Sequence, residues 1–293
     1  MATCYRHPSR ETGVSCSNCG RPICPECMTT TPVGMRCPEC SKQRTKVMHM
    51  RDMAAVPRVT YTLIAINVIA FLAEGNLSFS GGPTDGVYEK GALLGSIAGV
   101  PEQGVAHGQW WRIITSGFLH ENLIHIGFNM YVLYVLGHML EPALGRVKFG
   151  VIYAVALLTG SLGALIVSPH AVTVGASGAV FGIMGAAAVE LRARQIPLMQ
   201  GGALGSIGGL ILINLVLSFT LSGISWGGHV GGLLGGALVA FVLMQGERRR
   251  ALALAYVGCA VIAAAAVAGS IVTSKASEQE ASAAPVTVVN PEP

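Results

Sequence analysis

From residue 57 to residue 273 the chain alternates long apolar runs with short polar breaks. A helix that crosses a bilayer needs about 20 mostly apolar residues. Runs near that length stand at 57–73, 113–140, 147–168, 172–191, 203–221, 226–244 and 251–273. The second opens on polar residues, and the fourth is interrupted by the small-residue stretch TVGASGAVFG at 173–182. The connection at 74–111 is long for a membrane loop and ends in Trp110 and Trp111, which predicts partial burial in the headgroup interface. Ahead of the runs, residues 1–41 are polar and Cys-rich, and residues 42–56 form a basic linker. Behind them, residues 274–293 are rich in Ser, Ala, Glu and Pro and read as disordered. The pattern predicts an all-α polytopic membrane protein preceded by a small separate domain.

Composition sharpens this reading. Of 293 residues, 52% are hydrophobic and only 12% charged, against roughly 25% charged in a soluble domain. An ordinary soluble enzyme is thereby excluded. The net charge of +4 is small, but its distribution is skewed. With the amino end in the cytoplasm, the cytoplasmic segments carry Lys42, Arg44, Lys46, Arg51, Arg58, Arg146, Lys148, Arg192, Arg194, Arg248, Arg249 and Arg250. The outer side keeps Lys90, Arg112 and Lys275. This bias fits the positive-inside rule and an odd number of spans, with the carboxyl end outside. The first 55 residues hold no apolar signal region, which agrees with a cytoplasmic amino end.

Polar groups inside spans are costly and are functional candidates. Four stand out: His125, Asn129, Ser177 and His229. Each lies early in an even-numbered run, and those runs descend from the outer face, so all four share the outer half of the bilayer. Gly178 and Gly182, and Gly228, Gly232 and Gly236, form small-residue strips on which the fourth and sixth runs can approach. A serine in contact with a histidine is a nucleophile with its base. No carboxylate is at hand to orient the imidazole, because the only aspartates are Asp52 and Asp85; the site is expected to be a Ser–His dyad. Phe181, one turn after Ser177, is placed to stack on the histidine. His125 and Asn129, at i and i+4, together with the Ser177 backbone N–H, are candidate oxyanion donors. A lone membrane serine usually bonds back to its own helix, and a lone histidine is as often structural. His120 fits a structural or interfacial contact. The shared depth of four such groups favours chemistry.

These residues resemble the rhomboid family of intramembrane serine proteases. GASGAVFG resembles the family's nucleophile motif, HENLIHIGFN its histidine–asparagine motif with His120, His125 and Asn129, and GGHVGGLLGG its sixth-helix motif with His229. WWRIITSGFLH resembles the Trp-Arg loop with Trp111 and Arg112, and EPALG the glutamate motif that gives Glu141 a structural role. The resemblance implies a six-helix bundle over residues 57–245 plus a seventh C-terminal transmembrane helix at 246–273. It also implies cleavage of transmembrane protein substrates near the outer face of the plasma (inner) membrane, without a cofactor for catalysis. The alternatives are a catalytically silent rhomboid-like protein that binds membrane clients, and a transporter or channel.

In the amino-terminal segment, Cys4 and His7, Cys16 and Cys19, Cys24 and Cys27, and Cys37 and Cys40 form four pairs of x2 spacing. Eight ligands suit two tetrahedral zinc ions, whereas seven cysteines in a reducing compartment do not suit disulfides. The module is similar to B-box-type fingers with interleaved pairs. That likeness groups Cys4, His7, Cys24 and Cys27, and separately Cys16, Cys19, Cys37 and Cys40; sequential pairing is the alternative. A structural zinc module that displays a surface to a cytoplasmic protein partner is expected. Nucleic acid is not, since the short basic run beside the membrane suits anionic lipid. Cys259, alone in an apolar run, is expected to be a small core residue.

Overall fold

Backbone groups in lipid must bond within their own segment, and each of the seven apolar runs carries a helix. The computed structural model describes residues 2–31, 34–42, 56–75, 77–79, 86–96, 103–199, 206–220 and 223–283. The chain divides into two units, Met1–Ala55 and Val56–Pro293. The linker residues Arg44, Lys46 and Arg51 lie outside the described residues, as do residues 284–293.

In the first unit β1 (Ala2–Thr3) pairs antiparallel with β2 (Glu11–Thr12), and β3 (Thr29–Thr31) with β4 (Gly34–Arg36). A short helix, α1 (Pro38–Ser41), follows. Its buried cluster is Ile23 with Cys4, Cys16, Cys24, Cys27, Cys37 and Cys40. So few apolar residues cannot stabilise a unit of this size unaided.

The second unit runs through α2 (Arg58–Ala73), α3 (Gly86–Gly91), α4 (Arg112–Thr115), α5 (Leu123–Leu144), α6 (Arg146–Val167), α7 (Ser177–Ala193), α8 (Ile207–Thr220), α9 (Trp226–Arg248) and α10 (Leu252–Ala283). Among the described residues, α5, α6, α9 and α10 are long and apolar enough to cross a membrane, and α2 and α8 are shorter apolar helices. Helix α7 is the hub: every residue from Ala179 to Ala187 is buried. It packs against α6 and α9, and α9 packs against α6. The approach of α9 to α7 depends on glycine, since a methyl group on Gly232 would overlap the Gly178 carbonyl oxygen.

Three boundaries differ from the sequence reading for identifiable physical reasons, beyond shifts of a few residues elsewhere. The second long helix starts at Leu123 rather than 113, because the Asn122 side chain accepts the His125 N–H at 2.9 Å and caps it. The stretch TVGASGAVFG does not interrupt a helix; it begins one. Thr173 pairs with Leu93 through two 2.9 Å backbone bonds, Gly175 adopts φ +124°, and α7 starts at Ser177. The last helix runs on to Ala283, ten residues into the stretch that composition marks as disordered. Ser274 and Ser277 are buried there, and Glu278 pairs with His107 at 2.6 Å.

Glu141 holds the start of α2. Its buried carboxylate accepts the backbone N–H groups of Val59 and Thr60 at 2.9 and 2.8 Å and the Thr60 hydroxyl at 2.7 Å. A carboxylate at a helix N-terminus satisfies donors that have no partner within the helix. Cys259 is buried in the helical core, as its surroundings suggest.

Candidate active site

Ser177 is the first residue of α7, and His229 lies in the first turn of α9. The glycine contact that brings these helices together sets Ser177 Oγ 2.8 Å from His229 Nε2. Phe181, one turn further along α7, stacks on the His229 ring with centroids 4.2 Å apart and planes 15° apart.

The other nitrogen of His229 also has a partner, one that the sequence reading passed over. Nδ1 lies 2.5 Å from the hydroxyl of Ser218 on α8. That hydroxyl in turn donates to the Asn214 carbonyl oxygen at 2.6 Å. Where a carboxylate orients the imidazole of a soluble triad, this site has a neutral hydroxyl. The available signal was the pair Asn214 and Ser218, four apart in an apolar run and therefore on one face. Ser218 has the back-bonding geometry typical of membrane serines, which hid it.

His125 and Asn129 stand on α5 across from Ser177, and these three residues and His229 line one cleft of about 450 Å³. Val132, Val180, Phe181 and Met184 give that cleft apolar walls. The Asn129 side-chain amide donates to the His125 carbonyl at 3.1 Å, which ties the two together. A methyl group on Gly175 would run into His125 Nε2, so glycine there leaves room for this ring beside the Ser177 hydroxyl. The Ser177 N–H opens α7, where N–H groups have no acceptor within the helix. His120 is fully buried and sits edge-on to His125, with centroids 5.1 Å apart and planes at 72°.

Trp111 and Arg112 lie away from the cleft and organise the long loop. Trp111 is half exposed and donates from Nε1 to the Lys90 carbonyl at 3.0 Å. The Arg112 guanidinium is buried and donates to Gln109 at 2.6 Å and to the carbonyls of Glu89 and Ala92, each at 2.7 Å.

In the amino-terminal unit two clusters form. Cys4, His7, Cys24 and Cys27 bring their ligand atoms within 4.8 Å of one another, and so do Cys16, Cys19, Cys37 and Cys40. All eight cysteines of the chain are free. The Cys19 and Cys37 sulfurs are 3.8 Å apart. Two thiolates bound tetrahedrally at about 2.3 Å from one zinc ion would be about 3.8 Å apart. Each cluster is able to hold a metal ion, and the grouping is the interleaved one.

The family profile described as Rhomboid domain matches residues 107–246, a stretch that includes both Ser177 and His229. The chain is 36% identical over 190 residues to Rhomboid protease GluP of Bacillus subtilis (strain 168), covering 64% of this chain and 35% of GluP. It is 35% identical over 148 residues to the rhomboid YdcA of the same strain, covering 50% of this chain and 74% of YdcA. To RHOMBOID-like protein 6, mitochondrial, of Arabidopsis thaliana it is 34% identical over 165 residues, covering 56% of this chain and 52% of that protein. The chain thus spans about a third of GluP, about half of the plant protein and most of YdcA. Matched over nearly three quarters of one relative, with the family profile lying across the helices of the cleft, this multi-pass membrane protein belongs to the rhomboid family.

Proposed function

We propose that the chain is an intramembrane serine endopeptidase that cleaves transmembrane protein substrates near the outer face of the plasma membrane. The observation that carries this reading is the 2.8 Å contact between Ser177 Oγ and His229 Nε2 at the wall of an apolar-sided cleft. Ser177 attacks the peptide carbonyl while His229 takes its proton, and His229 then returns that proton to the leaving amine. The Ser177 N–H, His125 and Asn129 receive the oxyanion, and the positive end of the α7 dipole lies on the same side. Phe181 holds the imidazole plane. His120 packs behind His125, while Trp111, Arg112 and Glu141 support the scaffold.

With seven spans the two ends lie on opposite faces, and the Lys and Arg distribution supports a cytoplasmic amino end and an outer carboxyl end. A regular helix hides its carbonyls in hydrogen bonds, so the substrate is a segment that unwinds near its outer end. The amino-terminal unit holds two structural zinc ions and presents a surface to a cytoplasmic protein partner. A catalytically silent client-binding rhomboid is disfavoured by the intact Ser177–His229 pair.

The test is reaction of the purified protein with a fluorophosphonate probe, mapped by mass spectrometry, alongside cleavage of a transmembrane reporter. Labelling at Ser177 and loss of both signals in Ser177→Ala and His229→Ala are expected. Cleavage that persists in Ser177→Ala overturns the proposal.

A further inference from the structure

We infer that Ser218 is a positioning residue that fixes the tautomer of His229, making the catalytic unit a relay of Ser177, His229 and Ser218. This inference rests on the protease reading above. The Ser218 hydroxyl has one proton and two close neighbours, the Asn214 carbonyl oxygen at 2.6 Å and His229 Nδ1 at 2.5 Å. A carbonyl oxygen carries no proton, so Ser218 must be the donor in the first contact. Toward His229 it then has only lone pairs to offer, and Nδ1 must be the donor. A neutral imidazole carries a single N–H, so Nε2 is left bare. Nε2 is the nitrogen facing Ser177 Oγ at 2.8 Å. The bond from Ser218 to its own helix therefore leaves the base in the one form that accepts the serine proton.

The opposite assignment fails on the same distances. If Ser218 gave its proton to Nδ1, two lone-pair-bearing oxygens would face each other at 2.6 Å in a buried site. Nε2–H would then point at Ser177, and no base would be present.

The arrangement also suits the transition state. When Nε2 takes the Ser177 proton the ring becomes cationic, and its Nδ1–H bond to Ser218 becomes charge-assisted and stronger. The Ser218 oxygen already points its lone pairs at Nδ1, so no reorganisation is needed. In soluble serine hydrolases a carboxylate does this work. Within a bilayer a carboxylate is expensive, whereas a hydroxyl oriented by a backbone carbonyl adds no net charge. Ser218 and Asn214 are both buried on α8 where they line the cleft, which leaves the contact only a small exposed area.

The experiment uses the full-length purified protein in lipid nanodiscs. Nitrogen NMR of a histidine-labelled sample reads the tautomer directly, with the His229 signals assigned by their loss in His229→Gln. In the wild type, Nδ1 should be protonated and Nε2 bare. Ser218→Ala should give a mixture of tautomers. It should also lower kcat for a transmembrane reporter by about 5- to 100-fold, the range for leaving one buried polar group without its partner. KM should stay within about twofold, because the lost interaction matters to the transition state and not to substrate binding. Ser218→Thr keeps the hydroxyl and its bond to the preceding turn, and should restore both the spectrum and most of the rate. A wild-type spectrum with the proton on Nε2 overturns the inference without recourse to any variant. So does Ser218→Ala with unchanged kcat, or with a raised KM alone, which would make Ser218 a substrate contact. Cleavage by Ser177→Ala would instead overturn the protease reading, and the imidazole spectrum would still report on Ser218.

Discussion

At the residue scale, the imidazole of His229 is constrained on two edges and one face. Ser177 and Ser218 occupy the edges, and Phe181 covers the face at 4.2 Å. An aromatic stack of this kind contributes about 0.5–1.5 kcal/mol beyond area burial. Phe181→Leu keeps an apolar side chain of useful size and removes the stack. It should slow turnover by about 2- to 12-fold, measured as kcat at saturating reporter. An unchanged kcat would show that general packing alone holds the ring. His125 and Asn129 line the same cleft and are the proposed oxyanion donors. Losing one oxyanion donor costs about 10²–10³ in kcat, so His125→Ala and Asn129→Ala should each fall in that range while fluorophosphonate still labels Ser177. Wild-type rates in both would leave the oxyanion to backbone donors. The Ser177–His229 pair was legible because glycine strips beside two polar residues in apolar runs announce a close helix contact. Ser218 was not, because a membrane serine four residues after an asparagine looks like a helix satisfying itself. Only the tertiary fold shows that the same oxygen has a second partner.

At the element scale, the proposed chemistry depends on how closely α9 approaches α7, because that contact sets the Ser177–His229 distance. All seven apolar runs were readable as helices, since length and hydrophobicity suffice for that. The starts of the second and fourth were not, because Asn122 and Gly175 act through a cap and a left-handed backbone, which hydropathy does not register. The α7–α9 contact predicts a contrast between two glycines. Gly232→Val would drive a side chain into the Gly178 carbonyl. Overpacking of this kind costs about 1–3 kcal/mol or more, and a shift of about 1 Å between catalytic groups costs about 10² in rate. Activity should therefore fall further than thermal stability. Gly127→Ala is the control: a Cβ there meets nothing within 4 Å, on an ordinary helical backbone. It should raise stability by about 0.5–1 kcal/mol and leave cleavage alone. Equal effects from the two substitutions would remove the packing argument. The hold of Glu141 on α2 is testable in the same assay. Glu141→Gln keeps one acceptor oxygen where three donors converge. It should cost about 2–4 kcal/mol, as charge-assisted bonds contribute about 1.5–3 kcal/mol each, and appear as a lower melting temperature. An unchanged melting temperature would remove Glu141 from the scaffold.

At the scale of the whole molecule the chain is two units with different sources of stability. The helical unit buries apolar side chains from α5, α6, α7 and α9 in one continuous core. The amino-terminal unit has Ile23 and a set of cysteines, and on the proposed reading metal supplies what apolar burial cannot. Structural zinc contributes about 10–16 kcal/mol of apparent binding energy in small fingers at neutral pH. Metal analysis of the full-length protein should therefore find two zinc ions per chain, one for each ligand cluster. The pairing gives a sharper prediction than the count. In the interleaved grouping Cys4 and Cys24 serve one ion, while Cys4 and Cys16 serve different ions. Cys4→Ser with Cys24→Ser should then leave one zinc, and Cys4→Ser with Cys16→Ser should leave none or only weakly held metal. Sequential pairing reverses both results, because Cys4 would share its ion with Cys16. The single and double variants, measured by atomic emission after dialysis against a weak chelator, separate the two arrangements. Reporter cleavage in the same samples shows whether the metal unit is needed for the chemistry. The core helices fold around their own buried contacts, so a zinc-depleted chain should retain turnover at Ser177; complete loss of cleavage together with zinc would make the amino-terminal unit part of the enzyme.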